Sequence, residues 1–282
     1  MTTNQRPGPT LDIDAITEDE KPTFQGIDFD SRPAALRQLL LVQEIIEEFP
    51  DATKVVGLDI GSKYPDLSTM LDRYDVKTVR LDTEWRRNTD RFVVADGQRS
   101  PFQTGAFDFA VLSHVMAHVD DIDALIEEAR RIIRPGGTLF IMQNNKYGWW
   151  KFWGYYLKRN DRRAHQRTFA EWDMRDVLAR HGFAVDHMYP PYYFYLHSKL
   201  SKLFYRLDRR FGGKVPNVIA TQWVVAARRV ADDAPAPTRV PPPNIGVRAL
   251  LIAFAVGQAV GVKAIEIGLR TIHRPGWGKA PD

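Results

Sequence analysis

Four places along the chain set small or acidic residues directly after an apolar run. Asp59-Ile60-Gly61 closes VVGLDIG, Asp82 closes VRLD, Asp96-Gly97 closes FVVADG, and Ser113-His114 closes FAVLSH. Three of the four carry a carboxylate. Such a group accepts hydrogen bonds from a sugar diol or an amine and repels a phosphate. Neither GxxxxGK[ST] nor GxGxxG occurs, which disfavours ATP hydrolysis and pyrophosphate-bearing dinucleotides. These residues suit a nucleoside carrying little negative charge. His114 and His118 are four apart and followed by two acids, but the Glu of a helical HExxH zinc site is missing, and no metal is expected. His114 is instead a candidate general base, needed only where the nucleophile is a hydroxyl or similarly weak. His118 is expected to pack near a helix start, and His165 to lie in a substrate loop or on the surface.

For those residues to meet, the apolar runs must be neighbouring strands. Runs of four to six apolar residues, without strict alternation, suit strands covered on both faces. The spacing predicts strands over 54–60, 76–82, 91–96, 107–114 and 138–144, with helices over 31–49, 66–74 and 121–133. Ser31 is the expected N-cap of the first helix, whose stripe holds Leu36, Leu39, Leu40, Ile45 and Ile46. Pro135 and Gly136-Gly137 are expected to stop the third helix. A helix over 168–183 is expected to begin with a capping box of Thr168 and Glu171. AVDHMY and VIATQWVVAARR supply the last two strands. Alternating strands and helices imply a parallel sheet with right-handed crossovers. In such a sheet ligands bind beyond the carboxyl ends of the strands, where strand order reverses. The four polar positions fall there.

The totals bound the rest. The chain has 282 residues, no cysteine and a net charge of +4, which excludes disulfides, thiolate ligands and a cysteine nucleophile. The arginines are scattered as on a solvated face, so nucleic acid is not the expected partner. Residues 1–30 read as a flexible acidic tail without an apolar leader, and a cytoplasmic, peripherally membrane-associated protein is expected. Residues 31–230 form the main domain, in which 146–215 is an aromatic and basic cap region; eight of the ten tyrosines lie between 147 and 205. Five prolines in 231–244 mark an extended linker. An apolar helix follows over 245–273. Its core, ALLIAFAVGQAVGV, is fourteen residues with only Gln258 polar, about 21 Å long against the roughly 30 Å core of a bilayer. Gly257 and Gly261 form a GxxxG that would permit close contact in a homodimer. Two roles stay open for this helix: contact with a membrane surface, shared with the 147–214 segments, or docking on protein.

VGLDIGSKYPDL, then VRLD, then VVADGQRSPFQTGAFDFAVLSHVMAHVDDIDALIEEARRIIRPGGTLFI together resemble the class I S-adenosylmethionine-dependent methyltransferases, in particular the methyltransferase type 11 group. The resemblance covers 54–144 well and 145–229 in layout only. It implies a Rossmann-like α/β fold: a seven-stranded, mostly parallel sheet with helices on both faces. It implies S-adenosyl-L-methionine as cofactor and a small, apolar or lipid-linked acceptor methylated on O, N or C. By the same resemblance Asp59 and Gly61 approach the methionine part, Asp82 takes the ribose hydroxyls, and Asp96 with Gly97 the adenine. Ser113 and His114 line the cofactor and face the acceptor. One departure stands out. The family reads D-x-G-x-G-x-G where this chain has Asp59-Ile60-Gly61-Ser62-Lys63-Tyr64-Pro65. The loop is either altered but usable, or the mark of a catalytically silent binding or scaffold protein. An NAD-dependent oxidoreductase is disfavoured by the missing glycines.

Overall fold

The structure, a computed structural model, describes residues 33–51, 54–63, 66–85, 91–148, 167–189, 222–239, 241–250, 252–253 and 257. The expected tail, most of the cap region and the greater part of the last helix lie outside them. In chain order the elements are α1 (Pro33–Glu48), β1 (Val56–Ile60), α2 (Asp66–Asp72), β2 (Lys77–Asp82), β3 (Phe92–Val94) and β4 (Phe107–Ser113), then α3 (Ile122–Ile132), β5 (Ile133–Asn144), α4 (Glu171–Arg180), β6 (Phe183–Tyr189) and β7 (Gln222–Arg229). They build one seven-stranded sheet of order β3-β2-β1-β4-β5-β7-β6. β7 runs antiparallel to both its neighbours, while the pairs from β3 through to β5 are parallel. This is the expected Rossmann-like sheet.

Each face of the sheet has its own apolar layer, so the strands read as continuous apolar runs. On one face Leu58, Ile60, Leu112 and Ile141 pack with Leu125 and Ile126 of α3 and with Met174 and Leu178 of α4. On the other Val111, Phe140 and Val224 meet Leu41, Val42 and Ile45 of α1 and Leu67, Met70 and Leu71 of α2. Helices therefore cover both sides.

Two local expectations are corrected. First, α3 ends at Ile132, before the RPGG stretch, and Ile133 is already extended (φ −78°, ψ 134°). RPGG lies inside β5, where pairing with β4 jumps from Phe107–Ile133 to Phe109–Thr138. This bulge places Gly136 at φ 76°, a conformation glycine adopts without steric cost. Arg134 fastens it through Asp108, whose other oxygen accepts the Val56 N–H. Second, α4 starts at Glu171 with Ala170 as N-cap, and the Asp173 carboxylate accepts the Ala170 N–H at 3.1 Å. Thr168 lies too early because Phe169 bridges to Asn145 in sheet fashion. The Pro-rich linker lies against α4: Arg239 pairs with Asp176 at 2.6 Å.

Two polar anchors fix the segment between β3 and β4 onto α3. Glu128 accepts from the Ser100 N–H and hydroxyl and from Arg131. Asp121 caps α3 by accepting the Ala124 N–H at 3.0 Å, as helix N-termini favour.

The sheet centre tolerates no added volume at Gly57. A Cβ there would sit 2.1 Å from the Phe109 ring, which is itself wedged between Phe49 and Phe140. Gly57→Ala is expected to lower unfolding stability by about 1–3 kcal/mol, the range of core overpacking, as read by urea titration.

Candidate functional site

All four sequence-predicted positions fall on the carboxyl edge of the sheet, around the β1–β4 reversal point. Contacts between backbone and side chain draw three of them together. Gly61 turns at φ 72° and packs so tightly that a Cβ would lie 2.5 Å from Val115, the residue after His114. At Gly97 a Cβ would lie 2.7 Å from the Ile60 side chain. The tips of β1, β3 and β4 therefore share one floor. His114 is half-buried in the left-handed region, φ 62°. Its N–H bonds the Met142 carbonyl at 2.8 Å. A non-glycine residue with positive φ is uncommon, and such conformations cluster at functional sites. Ser113, also half-buried, stands beside Met142 in register.

The carboxylates differ in what they offer. Asp82 is half-buried at the end of β2; its Oδ1 accepts weakly from Thr83 and Glu84, at 3.4 and 3.2 Å. Its Oδ2 has no hydrogen bond among the described residues. Asp96 is exposed, and Gln98 holds it through its N–H at 2.9 Å and its amide at 3.2 and 3.3 Å. Asp59 is buried beneath the loop, on the face of the sheet covered by α2. It supports the turn from below.

Sequence reasoning missed the group that Asp59 serves. Arg80, an arginine in the middle of β2, is almost wholly buried. It donates to the Ser62 hydroxyl at 3.0 Å and to the Ser62 carbonyl at 3.1 Å, and its guanidinium lies 5.2 Å from the Phe92 ring centre. The Gly61 and Ser62 N–H groups meanwhile both donate to the Leu81 carbonyl, at 2.7 and 3.1 Å. The loop that lacks the family's later glycines is thus tied to β2 from two sides. Burial pushes the Asp59 carboxyl up to about 7, against the lowering effects of the Ser62 hydrogen bond and of Arg80. Burial likewise lowers Arg80, against the attraction of Asp59, Asp66 and Asp82. Both shifts oppose an ion pair's usual effect, so desolvation outweighs the mutual attraction. Arginine stays protonated in proteins, so the titrating partner is Asp59.

A second missed feature lies at the end of β5. Gln143, Asn144 and Asn145 are all buried. Asn144 accepts from the Gln222 amide at 2.9 Å, and Asn145 accepts the Tyr147 N–H at 3.0 Å. Among the described residues the Gln143 amide has no hydrogen-bond partner for its nitrogen or its oxygen, and it stands in register with Trp223. Leaving such a group unpaired costs about 1–3 kcal/mol. The signal in the sequence was three consecutive amides closing an apolar strand. Tyr64 and Pro65 lie outside the described residues, as does His165.

The donor set fits S-adenosylmethionine. A ribose diol needs an acceptor with a free lone pair, which Asp82 has; an adenine amino group needs an exposed acceptor, which Asp96 is. No cluster of basic groups meets these acids on the edge among the described residues, as a nucleotide's phosphates would require.

A family model described as a methyltransferase domain matches residues 28–188. Demethylmenaquinone methyltransferase of Beutenbergia cavernae is 35% identical over 77 residues, covering 26% of this chain and 32% of that protein. The mitochondrial 2-methoxy-6-polyprenyl-1,4-benzoquinol methylase of Leishmania donovani is 29% identical over 102 residues, covering 35% and 31%. The chain thus spans about a third of the length of these curated relatives, and only 3–4% of two fungal polyketide synthases that it also matches. Among solved structures, a SAM-dependent methyltransferase from Archaeoglobus fulgidus superposes with a TM-score of 0.50 at 14% identity, covering 68% of this chain and 94% of that one; this likeness concerns the fold.

Two substitutions probe the site's electrostatics. Asp59 is protonated in the folded state up to about pH 7 and ionises near pH 3.8 when unfolded. Its contribution to stability is therefore full below pH 3.8 and is lost as pH rises towards 7. Asp59→Asn removes that slope, so its melting temperature relative to wild type should rise from pH 5 to pH 8, as measured by calorimetry. Gln143→Leu deletes an unpaired amide at similar volume. It should raise stability by about 1 kcal/mol while lowering turnover at least tenfold.

Proposed function

The chain belongs to the methyltransferase-domain family, and on that premise we propose that it transfers a methyl group from S-adenosylmethionine to a small, apolar or lipid-linked acceptor. The observation that carries the reading is Asp82, a strand-end carboxylate with one oxygen uncommitted among the described residues. Bound S-adenosylmethionine supplies an electrophilic methyl group on a sulfonium. Around it, Asp82 takes the ribose hydroxyls and Asp96 the adenine amino group, while the turn at Gly61 admits the methionine part. Asp59, partly ionised near neutrality, adds negative potential below that turn.

Methyl transfer is an in-line displacement, so most of what the protein contributes is position. Ser113 and His114 face the acceptor side. For a hydroxyl acceptor His114 takes the departing proton; for a softer nucleophile it only shapes the wall. Gln143, buried beside Trp223 at the carboxyl end of β5 with no hydrogen-bond partner among the described residues, would be paired by an oxygen of an otherwise apolar acceptor. Two relatives are named for menaquinone and polyprenyl-benzoquinol chemistry, which supports acceptors of that class.

The altered glycine loop favours a second reading, a catalytically silent binding or scaffold protein that takes up no methyl donor. Calorimetric titration with S-adenosylmethionine and with its demethylated product separates the two. Wild type should bind both, and Asp82→Ala should bind at least tenfold more weakly, since a hydrogen bond to a charged group contributes about 1.5–3 kcal/mol. Wild type that binds neither would leave the silent reading.

A further inference from the structure

We infer that the Pro-rich linker is a docked strap that holds an apolar helix at the catalytic edge, and that this helix buries itself in an anionic phospholipid bilayer. The strap is fixed to the body. Asp232 pairs with Arg130 of α3 at 2.7 Å, Arg239 pairs with Asp176 of α4, and Pro241 and Pro242 line a cleft of about 400 Å³ with Trp172 and Asp173. Beyond it, Arg248 of the helix donates back to the strap's own Pro243 carbonyl at 2.9 Å. The Trp172 ring in that cleft lies 5.5 Å, centre to centre, from the Tyr147 ring. Tyr147 is two residues beyond Asn145, where β5 reaches the carboxyl edge. The helix therefore starts where the site opens.

The helix begins in regular fashion and then faces solvent. Asn244 caps it, its side chain accepting the Val247 N–H at 2.9 Å and its carbonyl the Arg248 N–H at 3.1 Å. Ile245, Leu250 and Ile252 are 84%, 69% and 50% exposed. At about 100° per residue, Ile245 and Ile252 share one side, while Val247 and Leu250 point away from it. A Cβ on Gly257 would meet nothing within 4 Å. A helix apolar on opposed sides needs apolar cover all round, from a protein core or from hydrocarbon, and here the body leaves both sides exposed. No helix among the described residues is long and apolar enough to cross a membrane. Partial insertion suits the sequence, because Arg248 and Lys263 bracket the apolar run and can reach lipid phosphates along their stems. In the sequence, the stretch 199–210 also carries Lys199, Lys202, Arg206, Arg209 and Arg210, charge of the sign that anionic headgroups attract. An acceptor dissolved in that bilayer would then lie opposite the strand tips.

Vesicle binding needs no methyl donor, so this inference and the catalytic reading stand or fall separately. The full chain should co-sediment with phosphatidylcholine–phosphatidylglycerol vesicles and less with phosphatidylcholine alone. Leu250→Glu with Ile252→Glu should weaken binding at least tenfold and leave titration with S-adenosylmethionine unchanged. Because the chain has no cysteine, single labels report orientation. A fluorophore on Lys146→Cys should be quenched by headgroup-spin-labelled lipid, and one on Lys77→Cys, at the opposite end of the sheet, should not. Equal quenching at both would overturn the strap's role. No vesicle binding, with self-association that the double variant abolishes, would overturn the membrane and assign the helix to a second copy of the chain.

Discussion

A guanidinium buried under the β1–α2 turn is the constraint around which the donor side is organised. Arg80 reaches Ser62 through two hydrogen bonds, and such a charge is not tolerated inside a protein without opposite charge nearby. Asp59, Asp66 and Asp82 all contribute to that field. The acid of the first strand, the turn, the start of α2 and the acid of the second strand are thereby bound into one electrostatic unit. A glycine-rich loop approaches a ligand because it lacks side chains. Here a turn that carries side chains is held open by a tie from below.

The same edge is braced on its other side by α3. Asp96 is held by Gln98, whose carbonyl oxygen accepts the Asp121 N–H at 3.2 Å, and Asp121 caps α3. Glu128, two turns along, gathers Ser100 and Arg131. The Asp96 end of the candidate site therefore rests on a helix whose opposite end runs without a break into β5. Position rather than exotic chemistry is what this arrangement supplies, which is what a displacement reaction asks of a protein.

Much of this was legible in the sequence, for definite reasons. Strands covered on both faces leave uninterrupted apolar runs, so VVGLDI, FDFAVLS and TLFIMQN announced the sheet. Acids closing those runs marked its carboxyl edge. Arg80 was not legible, because an arginine between Val79 and Leu81 looks like an edge residue reaching solvent; only the proximity of Asp59 and Asp66 makes its burial tolerable. RPGG resembles a helix stop, yet pairing with β4 begins at Ile133, and tertiary contact overrode local propensity. Thr168 lost its cap to a bridge between Phe169 and Asn145. Proline content marked the linker, while its docking depends on Asp176 and Trp172, residues of α4 far earlier in the chain.

The absence of any connecting residue between Ile132 and Ile133 has a consequence for how such a chain can grow over evolutionary time. Added segments cannot enter there without prising α3 from the sheet, and the turns at 61–63 and 114–121 are pinned by their own contacts. The sequence instead carries its long aromatic and basic stretches, 149–166 and 190–221, after Asn145 and between β6 and β7. A chain built this way can lengthen on one flank of the sheet while the junction of α3 and β5 stays closed to insertion.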